Sequence, residues 1–285
     1  MNNLSEINVP PSKLIVDVDN VYTLPKRFRT TLDDLDAENK ELPNNLGLRE
    51  LKVSGSGVFS QKGLQKMKNV IEHDQIIIVD TRKESHGYVN GMAVSWYGEK
   101  NYINKNLTSD EVQIIEQSKL DELKKTDEIK FDFWEGKSVP MKEPIKPKNV
   151  LSAEELAKEE GVGYIRFFVT DHNKPDDEEI DKFIDFVRAL SGDEWLHIHC
   201  RGGVGRTTSF MIMFDMLRNV NEVSCEDILE RQKLIGGRDM KRLAEGTYKY
   251  EAAVERLELI EKFYQYCKEN NSNNYTISWS EWIRS

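Results

Sequence analysis

The nine residues from His199 to Thr207 carry the densest chemistry of this chain. They read His-Cys-Arg-Gly-Gly-Val-Gly-Arg-Thr and lie between the largely apolar runs 195–198 and 209–217, which predicts a strand, a tight loop and a helix. Glycines let successive backbone N–H groups of such a loop point inward, and the N-terminus of the following helix adds positive potential. The pattern therefore predicts an anion-binding nest with Cys200 at its base.

Three side chains of this loop have predicted roles in phosphoryl transfer. Cys200 is the nucleophile, because a cationic nest favours a thiolate over a thiol. Arg206 presents a planar, two-pronged donor that matches phosphate oxygens, and Thr207 hydrogen-bonds the sulfur when it becomes a leaving group. The remaining loop residues are predicted substrate contacts: Arg201, Gly202, Gly203, Val204 and Gly205. Together these residues predict a cysteine-dependent phosphatase.

The specificity of this signal comes from the whole string. The spacing Cys-x5-Arg alone occurs by chance in about one chain in seven of ordinary composition. The alternative interpretation is a buried structural cysteine beside a glycine-rich turn.

We expect His199 to hold the loop through its ring nitrogens without acting as a base, and His197 to lie in the core. Cys225 and Cys267 are predicted to be inert thiols.

A candidate general acid follows a second predicted strand. Residues 164–169 read Tyr-Ile-Arg-Phe-Phe-Val and lead into Thr170, Asp171 and His172. Because parallel strands end at one edge of a sheet, Asp171 is placed to approach the loop. Its role would be to protonate the leaving oxygen and later to activate water. From this segment alone, an aspartate that caps a helix or closes a turn is an equally good interpretation.

The segment after the predicted strand 76–80 carries the charged residues Arg82, Glu84 and His86. Glu84 and His86 are placed to line the cleft. Alternatively, Arg82 and Glu84 form an ion pair that supports it. The pattern favours neither interpretation.

Several segments match a known family in chain order: Phe28-Arg29-Thr30, Glu84-Ser85-His86-Gly87-Tyr88, Thr170-Asp171-His172, the loop 199–207 and Trp279-Ser280-Glu281-Trp282. With these motifs, which span most of its length, the chain resembles bacterial inositol-polyphosphate phosphatases (phytases) built on the protein-tyrosine-phosphatase fold. The resemblance implies Cys200 as nucleophile, Arg206 as phosphate clamp and Asp171 as general acid. It also implies His172 and Arg29 as substrate contacts.

Two departures from that family's pattern concern charge. Family members carry an acidic residue and an alanine after the cysteine, where this chain has Arg201 and Gly202. The extra cation favours polyanionic substrates or marks a shifted phosphate preference. The segment after Gly237 is also shorter than in those phytases, so the lysines that they use there have only candidate counterparts. These candidates are Lys241, Arg242 and Lys137.

The remaining pattern predicts an α/β fold with a mostly parallel central sheet flanked by helices. The short apolar runs 76–80, 164–169 and 195–199 are predicted as buried parallel strands, and Ser54–Gly57 as a turn. Alternating apolar residues within 126–150 predict strands of a smaller β-rich lobe around residues 100–150. Helices are predicted over 60–73, 109–125, 152–160, 176–190, 207–217, 224–234 and 247–270. We expect one phosphatase domain over 1–285.

Composition limits the alternatives. The chain has 285 residues and a net charge of −10, which argues against nucleic-acid partners, because these need basic faces. It contains no apolar run as long as a membrane helix and no secretory signal pattern at its start. We therefore expect a cytoplasmic protein, or a secreted or periplasmic one if a signal was removed. No metal-ligand spacing is present, and cysteinyl phosphatases need no cofactor.

The leading hypothesis is hydrolysis of phosphate monoesters on inositol polyphosphates through a phosphocysteine intermediate. The partner would be a small polyphosphate, inositol hexakisphosphate or its lower esters. The alternative enzyme is a protein-tyrosine or phosphoinositide phosphatase. A non-catalytic phosphate-binding module is a third class, but such modules usually lack the cysteine, the aspartate or the arginine, and all three are present here. The sequence does not predict the oligomeric state.

Overall fold

The computed structural model describes residues 11–35 and 41–285. The strands are, in chain order, β1 (Lys13–Val18), β2 (Arg29–Thr30), β3 (Val53–Ser56), β4 (Ile76–Asp80), β5 (His86–Val89), β6 (Met92–Tyr97), β7 (Val150–Leu151), β8 (Gly163–Arg166) and β9 (Trp195–His199). The helices are α1 (Gln61–Ile71), α2 (Ser109–Lys125), α3 (Ala153–Glu159), α4 (Asp177–Ala189), α5 (Gly205–Asn219), α6 (Cys225–Leu234), α7 (Tyr250–Asn270) and α8 (Trp279–Trp282). The predicted α/β class is confirmed.

The larger sheet has the strand order β2-β3-β9-β4-β8. Strands β3, β9, β4 and β8 run parallel, and β2 pairs antiparallel with β3 at one edge. His199 lies opposite Ser56 and Asp80, and Asp80 lies opposite Arg166. The parallel strands therefore end at one level, and the segments that follow them meet at that edge of the sheet.

Helices cover both faces of this sheet. Strands β4 and β9 consist almost entirely of buried residues, as is typical of strands that are shielded on both sides. On one face, α4, α5 and α7 pack with Val79 and Ile198 in a large apolar cluster. On the other face, α1 and α3 pack against Ile76 and Ile78. This packing fixes β9 and α5, and so fixes the loop 200–204 between them.

The smaller sheet, β1-β6-β5-β7, is antiparallel. The strands that we expected within 126–150 are not formed there, so that prediction is wrong. The segment makes isolated bridges, Ile129–Ile145 and Val139–Val16, and reaches the sheet as a strand only at β7. Its three prolines lack the backbone donors that a regular ladder needs. Most of this sheet is instead built from chain before residue 100.

Two further predictions need correction. Strand β8 ends at Arg166 and not at residue 169, because the chain leaves the sheet once the Phe167 N–H has bonded to the Asp80 carbonyl at 2.8 Å. The predicted turn Ser54–Gly57 is mostly strand β3, which is buried between β2 and β9.

The predicted helices all form, with ends shifted by a few residues. In the described ranges, no helix is both long enough and apolar enough to cross a membrane.

Candidate active site

A cavity of about 440 Å³ opens where the parallel strands end. Cys200 follows β9 directly and lines this cavity, with 3% of the residue exposed. Its Sγ accepts hydrogen bonds from the Gly203 N–H and from the Thr207 hydroxyl, both at 3.2 Å. The structure thus brings the predicted nucleophile and the predicted sulfur donor Thr207 into contact. Gly202, Val204 and Gly205 also line the cavity.

Gly203 allows the loop to pack against the end of β3. Its φ of +70° lies in the left-handed region, which side chains disfavour. A Cβ at this position would lie 2.3 Å from the Gly57 nitrogen and 2.5 Å from the Ser56 carbonyl carbon. Only glycine therefore fits, and the close approach of loop and strand is what lets the Gly203 N–H reach the sulfur.

Arg29 lies behind the loop and does not line the cavity. It is 3% exposed, and its guanidinium donates to the Gly203 carbonyl at 3.0 Å and to the Thr208 hydroxyl at 3.0 Å. The substrate contact expected of Arg29 is not supported by this position. Arg29 instead joins the loop to the first turn of α5 from beneath.

Arg206 is held by two carboxylates. Glu84 accepts from both terminal nitrogens, at 2.6 and 3.0 Å, and Asp171 lies 3.1 Å from one of them. Glu84 also pairs with Arg82 at 3.0 Å, so the supporting ion pair is the correct interpretation of these residues. Burial alone would raise the pKa of Glu84, but Arg206 and Arg82 outweigh it and lower that pKa, keeping the carboxylate charged. His86 bonds Asp80 at 2.7 Å and does not line the cavity.

Asp171 lies at the cavity wall beside Arg206. Burial would raise the pKa of its carboxyl, but Arg206, His172 and a hydrogen bond from Asn101 together outweigh burial and lower it. Asn101 adds a hydrogen bond at 2.9 Å. The Asp171 side chain keeps 22% exposure, against 1% for Glu84. Of the two partners of Arg206, Asp171 is therefore the one that is free to reach a ligand.

His172 lines the cavity next to Asp171, as expected, but with an unusual backbone. Its φ is +67°, a conformation that costs a residue with a side chain about 1 kcal/mol or more. Its ring contacts the Tyr248 hydroxyl at 3.4 Å. Burial lowers the pKa of His172 to about 4 despite the nearby Asp171, so near neutral pH its ring is an uncharged hydrogen-bonding group.

His199 does not hold the loop in the way that we predicted. Both ring nitrogens are buried and lack a hydrogen-bond partner among the described residues. The ring packs on Phe59, with centroids 4.9 Å apart, and its Nε2 lies 3.8 Å from the Asp80 carboxylate. Burial lowers the pKa of His199 to about 4, which keeps the ring neutral. His197 lies in the core, as expected, bonded to Ser54 and Ser56 at 2.9 Å.

Arg201 is a structural link between the loop and the smaller sheet. Its Nε donates to Asp17 at 2.8 Å, its guanidinium lies 4.8 Å from the Tyr97 ring centroid, and a terminal nitrogen donates to the Lys137 carbonyl. Asp17 also pairs with Arg82 at 3.1 Å. The charge of Arg201 is thus neutralised by a buried carboxylate, and the link brings the Lys137 turn to the cavity edge.

Only one of the two lysines predicted as substrate contacts lies at the cavity. Lys137 lines the cavity. Lys241 pairs with Glu226, is exposed, and does not line the cavity. The cavity wall includes basic residues that we did not predict from the sequence: Lys26, Arg27, Arg238, Lys249 and Arg256. Lys26 and Arg27 directly precede the family motif at 28–30, and Arg238 begins the segment after Gly237. No local pattern marks Lys249 and Arg256, which belong to the start of α7.

The arrangement defines a class of protein. A Cys-x5-Arg loop between a parallel strand and a helix, with an aspartate facing the arginine, is the site of protein-tyrosine-phosphatase-like folds. The family model for PTP-like phytases (inositol hexakisphosphate) matches residues 79–218. A PTP-like phytase structure from Bdellovibrio bacteriovorus aligns at 30% identity with a TM-score of 0.76, covering 97% of this chain and 96% of that one. The chain belongs to the PTP-like phytase family.

Two other relatives are longer than this chain. The PTP-like myo-inositol phosphatase of Mitsuokella multacida, solved in complex with myo-inositol-(1,3,4,5)-tetrakisphosphate, aligns with a TM-score of 0.89 and 33% identity. The alignment covers 98% of this chain and 50% of that one. Effector protein hopD2 of Pseudomonas syringae pv. tomato is 32% identical over 90% of this chain and 56% of its own length. The chain thus spans about half the length of each.

Proposed function

We propose that this protein hydrolyses phosphate monoesters on myo-inositol polyphosphates through a phosphocysteine intermediate. The observation that carries the proposal is that Cys200 and Asp171 line one cavity whose wall is mainly cationic, with Arg206 buried behind that wall and paired with Asp171 at 3.1 Å. The tetrakisphosphate bound to the Mitsuokella relative supports this substrate class. No cofactor enters the proposed reaction.

In the first step, the Cys200 thiolate attacks phosphorus and the bond from phosphorus to the alkoxide oxygen breaks. Asp171 donates its proton to that oxygen, and the alcohol leaves. In the second step, water attacks phosphorus while Asp171 takes up the water's proton. The sulfur–phosphorus bond breaks, which releases inorganic phosphate and restores the thiolate, stabilised by the Thr207 hydroxyl.

A phosphate in the loop would change the environment of Asp171. Arg206 lowers the pKa of this carboxyl, and a bound dianionic phosphate competes for the same guanidinium. Losing Arg206 as a partner and gaining a negative neighbour both favour the protonated carboxyl. Substrate binding therefore converts Asp171 from an ion-pair partner into a proton donor.

The wall of the cavity suits a substrate with several phosphates. Seven basic side chains, those of Lys26, Arg27, Lys137, Arg201, Arg238, Lys249 and Arg256, line it together with two carboxylates, those of Asp17 and Asp171. Asp17 neutralises Arg201, but the other cations remain in excess. A local positive field can attract a polyanion although the chain carries a net charge of −10.

We propose that the chain forms one phosphatase domain and that the protein is cytoplasmic. Strand β1 contributes Asp17 and Val18 to the same cavity wall as Cys200, which supports a single phosphatase domain containing both sheets. We also retain the cytoplasmic location as a proposal, with secretion as its alternative.

The test is phosphate release by the purified protein from inositol hexakisphosphate and, in parallel, from a phosphotyrosine peptide. The proposal predicts a higher kcat/KM on the hexakisphosphate. A higher kcat/KM on the peptide would assign the site to phosphoprotein hydrolysis, and no release from either substrate would assign it to phosphate binding alone.

A further inference from the structure

A second concave surface adjoins the catalytic cavity. This groove of about 270 Å³ shares Asp17, Val18, Lys26 and Val58 with the cavity wall. Most of its remaining wall comes from the chain segment 19–25 and from the residues around Phe59, and it is largely apolar. On this side the cationic cavity therefore continues into a surface that suits hydrocarbon and not phosphate.

The outer wall of the groove is the loop 19–25, which displays apolar side chains to solvent. Val21, Tyr22 and Leu24 are 43%, 49% and 38% exposed. Of the eleven large apolar side chains that are exposed in the described ranges, three thus lie within four consecutive positions. Isolated exposed apolar residues are ordinary, whereas a cluster beside a binding cavity marks an interaction surface.

This loop is held in place from two sides. The Asn20 side chain donates to the Asn90 carbonyl at 3.1 Å and accepts from the Lys62 N–H at 3.0 Å, which ties the loop to the β5–β6 hairpin and to the start of α1. The Tyr22 hydroxyl accepts from Asn69 at 2.6 Å. Because the loop is already fixed, contact with a partner requires little further ordering of its backbone.

Basic side chains lie around the same loop. Lys26 and Arg27 are exposed and line the cavity, and Lys62 is exposed at the start of α1. Lys66, also on α1, places its Nζ 5.6 Å from the centre of the loop's tyrosine ring. The segment 19–27 carries one carboxylate, that of Asp19. An exposed apolar cluster among lysines and an arginine is typical of segments that bind anionic lipid surfaces.

We propose that the loop 19–25 docks the protein on an anionic lipid surface, where the catalytic cavity acts on phosphorylated inositol headgroups of that surface. This inference rests on the proposed function and adds a membrane-borne source of its substrate class. Val21 and Leu24 enter the lipid interface, and the neighbouring cations contact anionic headgroups. The groove takes up the glycerol and the upper acyl carbons of the lipid whose headgroup enters the cavity. The phosphate passes to Cys200 and then to water, and the lipid alcohol leaves.

Co-sedimentation with vesicles measures docking without catalysis. The vesicles contain phosphatidylcholine alone, or four parts phosphatidylcholine to one part phosphatidylserine. The test variant is Val21→Ser/Leu24→Ser. The matched control, Leu42→Ser/Leu46→Ser, removes two leucines that are 53% and 55% exposed and line neither the cavity nor the groove. Thermal unfolding shows whether each variant is folded, and kcat/KM on soluble inositol hexakisphosphate reports on the catalytic site.

The wild type should bind the phosphatidylserine vesicles at least tenfold more tightly than the neutral vesicles. This difference should shrink between about 0.1 and 1 M salt, because the screening length falls from about 10 to about 3 Å. The test variant should bind about tenfold or more weakly, since it loses the burial of two aliphatic side chains, and should keep kcat/KM on the hexakisphosphate within about twofold. The control variant should match the wild type in both measurements.

Phosphate release is then measured from a singly phosphorylated phosphatidylinositol in the phosphatidylserine vesicles. We expect release by the wild type and by the control, and an at least tenfold lower kcat/KM for Val21→Ser/Leu24→Ser. Equal binding to both kinds of vesicle, or equal losses of binding in the test and control variants, would overturn the docking role. Docking without release from the lipid would overturn the headgroup as substrate.

A failure of the proposed function gives a different result. In that case the wild type would not release phosphate from soluble inositol hexakisphosphate. Vesicle binding, and its dependence on Val21 and Leu24, would still be measured, because co-sedimentation needs no turnover.

Discussion

At the residue scale, Arg206 pairs both with the buried carboxylate of Glu84 and with Asp171, the proposed general acid. Glu84 fixes its guanidinium through two bonds from a buried position, and Asp171 contacts it from the cavity wall. A phosphate oxygen that replaces the Asp171 contact leaves the Glu84 pairing intact. In the proposed reaction the arginine therefore changes partners without changing its position, and the carboxylate that it releases becomes available to the leaving group.

The role of Asp171 is tested by Asp171→Asn. We expect turnover of an inositol phosphate to fall by about two to four orders of magnitude, the range of general acid catalysis. Since a proton donor works only when protonated, the wild-type rate should fall as pH rises through the pKa of Asp171 in the complex, and the variant should lose this alkaline limb. The measurement is kcat against pH on an inositol phosphate and on para-nitrophenyl phosphate. An equal loss on both substrates would exclude Asp171 as the acid.

We expect replacement of Arg201 to lower the free energy of unfolding, because the carboxylate that pairs with Arg201 is buried. Arg201→Gln leaves Asp17, 1% exposed, with Arg82 as its remaining cation. We expect a loss of about 3 kcal/mol in the free energy of unfolding, near the lower end for a broken buried pair. The control Arg49→Gln removes an exposed pair with Asp34 and should cost less than about 1 kcal/mol. Urea unfolding measures both, and similar losses would contradict the structural role.

At the element scale, the loop between β9 and α5 depends on one glycine more than on its neighbour. Gly203→Ala places a Cβ within 2.5 Å of β3 backbone atoms at a positive φ. Gly202→Ala meets only the Val204 side chain, at 3.9 Å. We expect Gly203→Ala to lose at least 100-fold in kcat/KM, and Gly202→Ala to stay within about tenfold. The same loss in both variants would show that the contact with β3 does not shape the loop.

Site residues could be predicted from the sequence where they belong to one element or to neighbouring strands, and not where distant elements bring them together. The loop 199–207 was recognisable because its nucleophile, glycines and arginine are close together in one strand–loop–helix unit. The rule that parallel strands end at one edge predicted Asp171 near the loop, and the family resemblance then favoured it as the acid over a capping or turn residue. The link from Arg201 to the smaller sheet was not predicted, because its partner Asp17 is 184 positions away. Arg256 was missed because α7 reaches the cavity only through tertiary packing.

At the scale of the whole molecule, the charge of the cavity wall is opposite in sign to the net charge of the chain. The chain is acidic overall, whereas the cavity wall is mainly cationic. Beneath the wall, His197 and His199 are buried on β9, and burial lowers the pKa of both rings. The larger sheet therefore contains neutral histidines on the strand that leads to Cys200.

These histidines make stability depend on pH. An unfolded histidine takes up a proton near pH 6.5, whereas folded His199 does so only near its pKa of about 4. Stability is therefore full above pH 6.5 and is lost as pH falls from 6.5 to about 4. For His199 the loss amounts to about 3 kcal/mol at most. Urea unfolding at pH 7 and pH 4.5 should show a smaller pH effect in His199→Gln than in the wild type; an identical effect would refute this assignment.

The central claim, catalysis through a phosphocysteine, is tested most directly by Cys200→Ser. Phosphate release from inositol hexakisphosphate is measured for the variant and the wild type, with EDTA present and absent. We predict no measurable turnover by the variant, although it still binds the hexakisphosphate because Arg206 and the loop remain, and wild-type turnover that EDTA does not change. Turnover by Cys200→Ser at the wild-type rate would contradict the account.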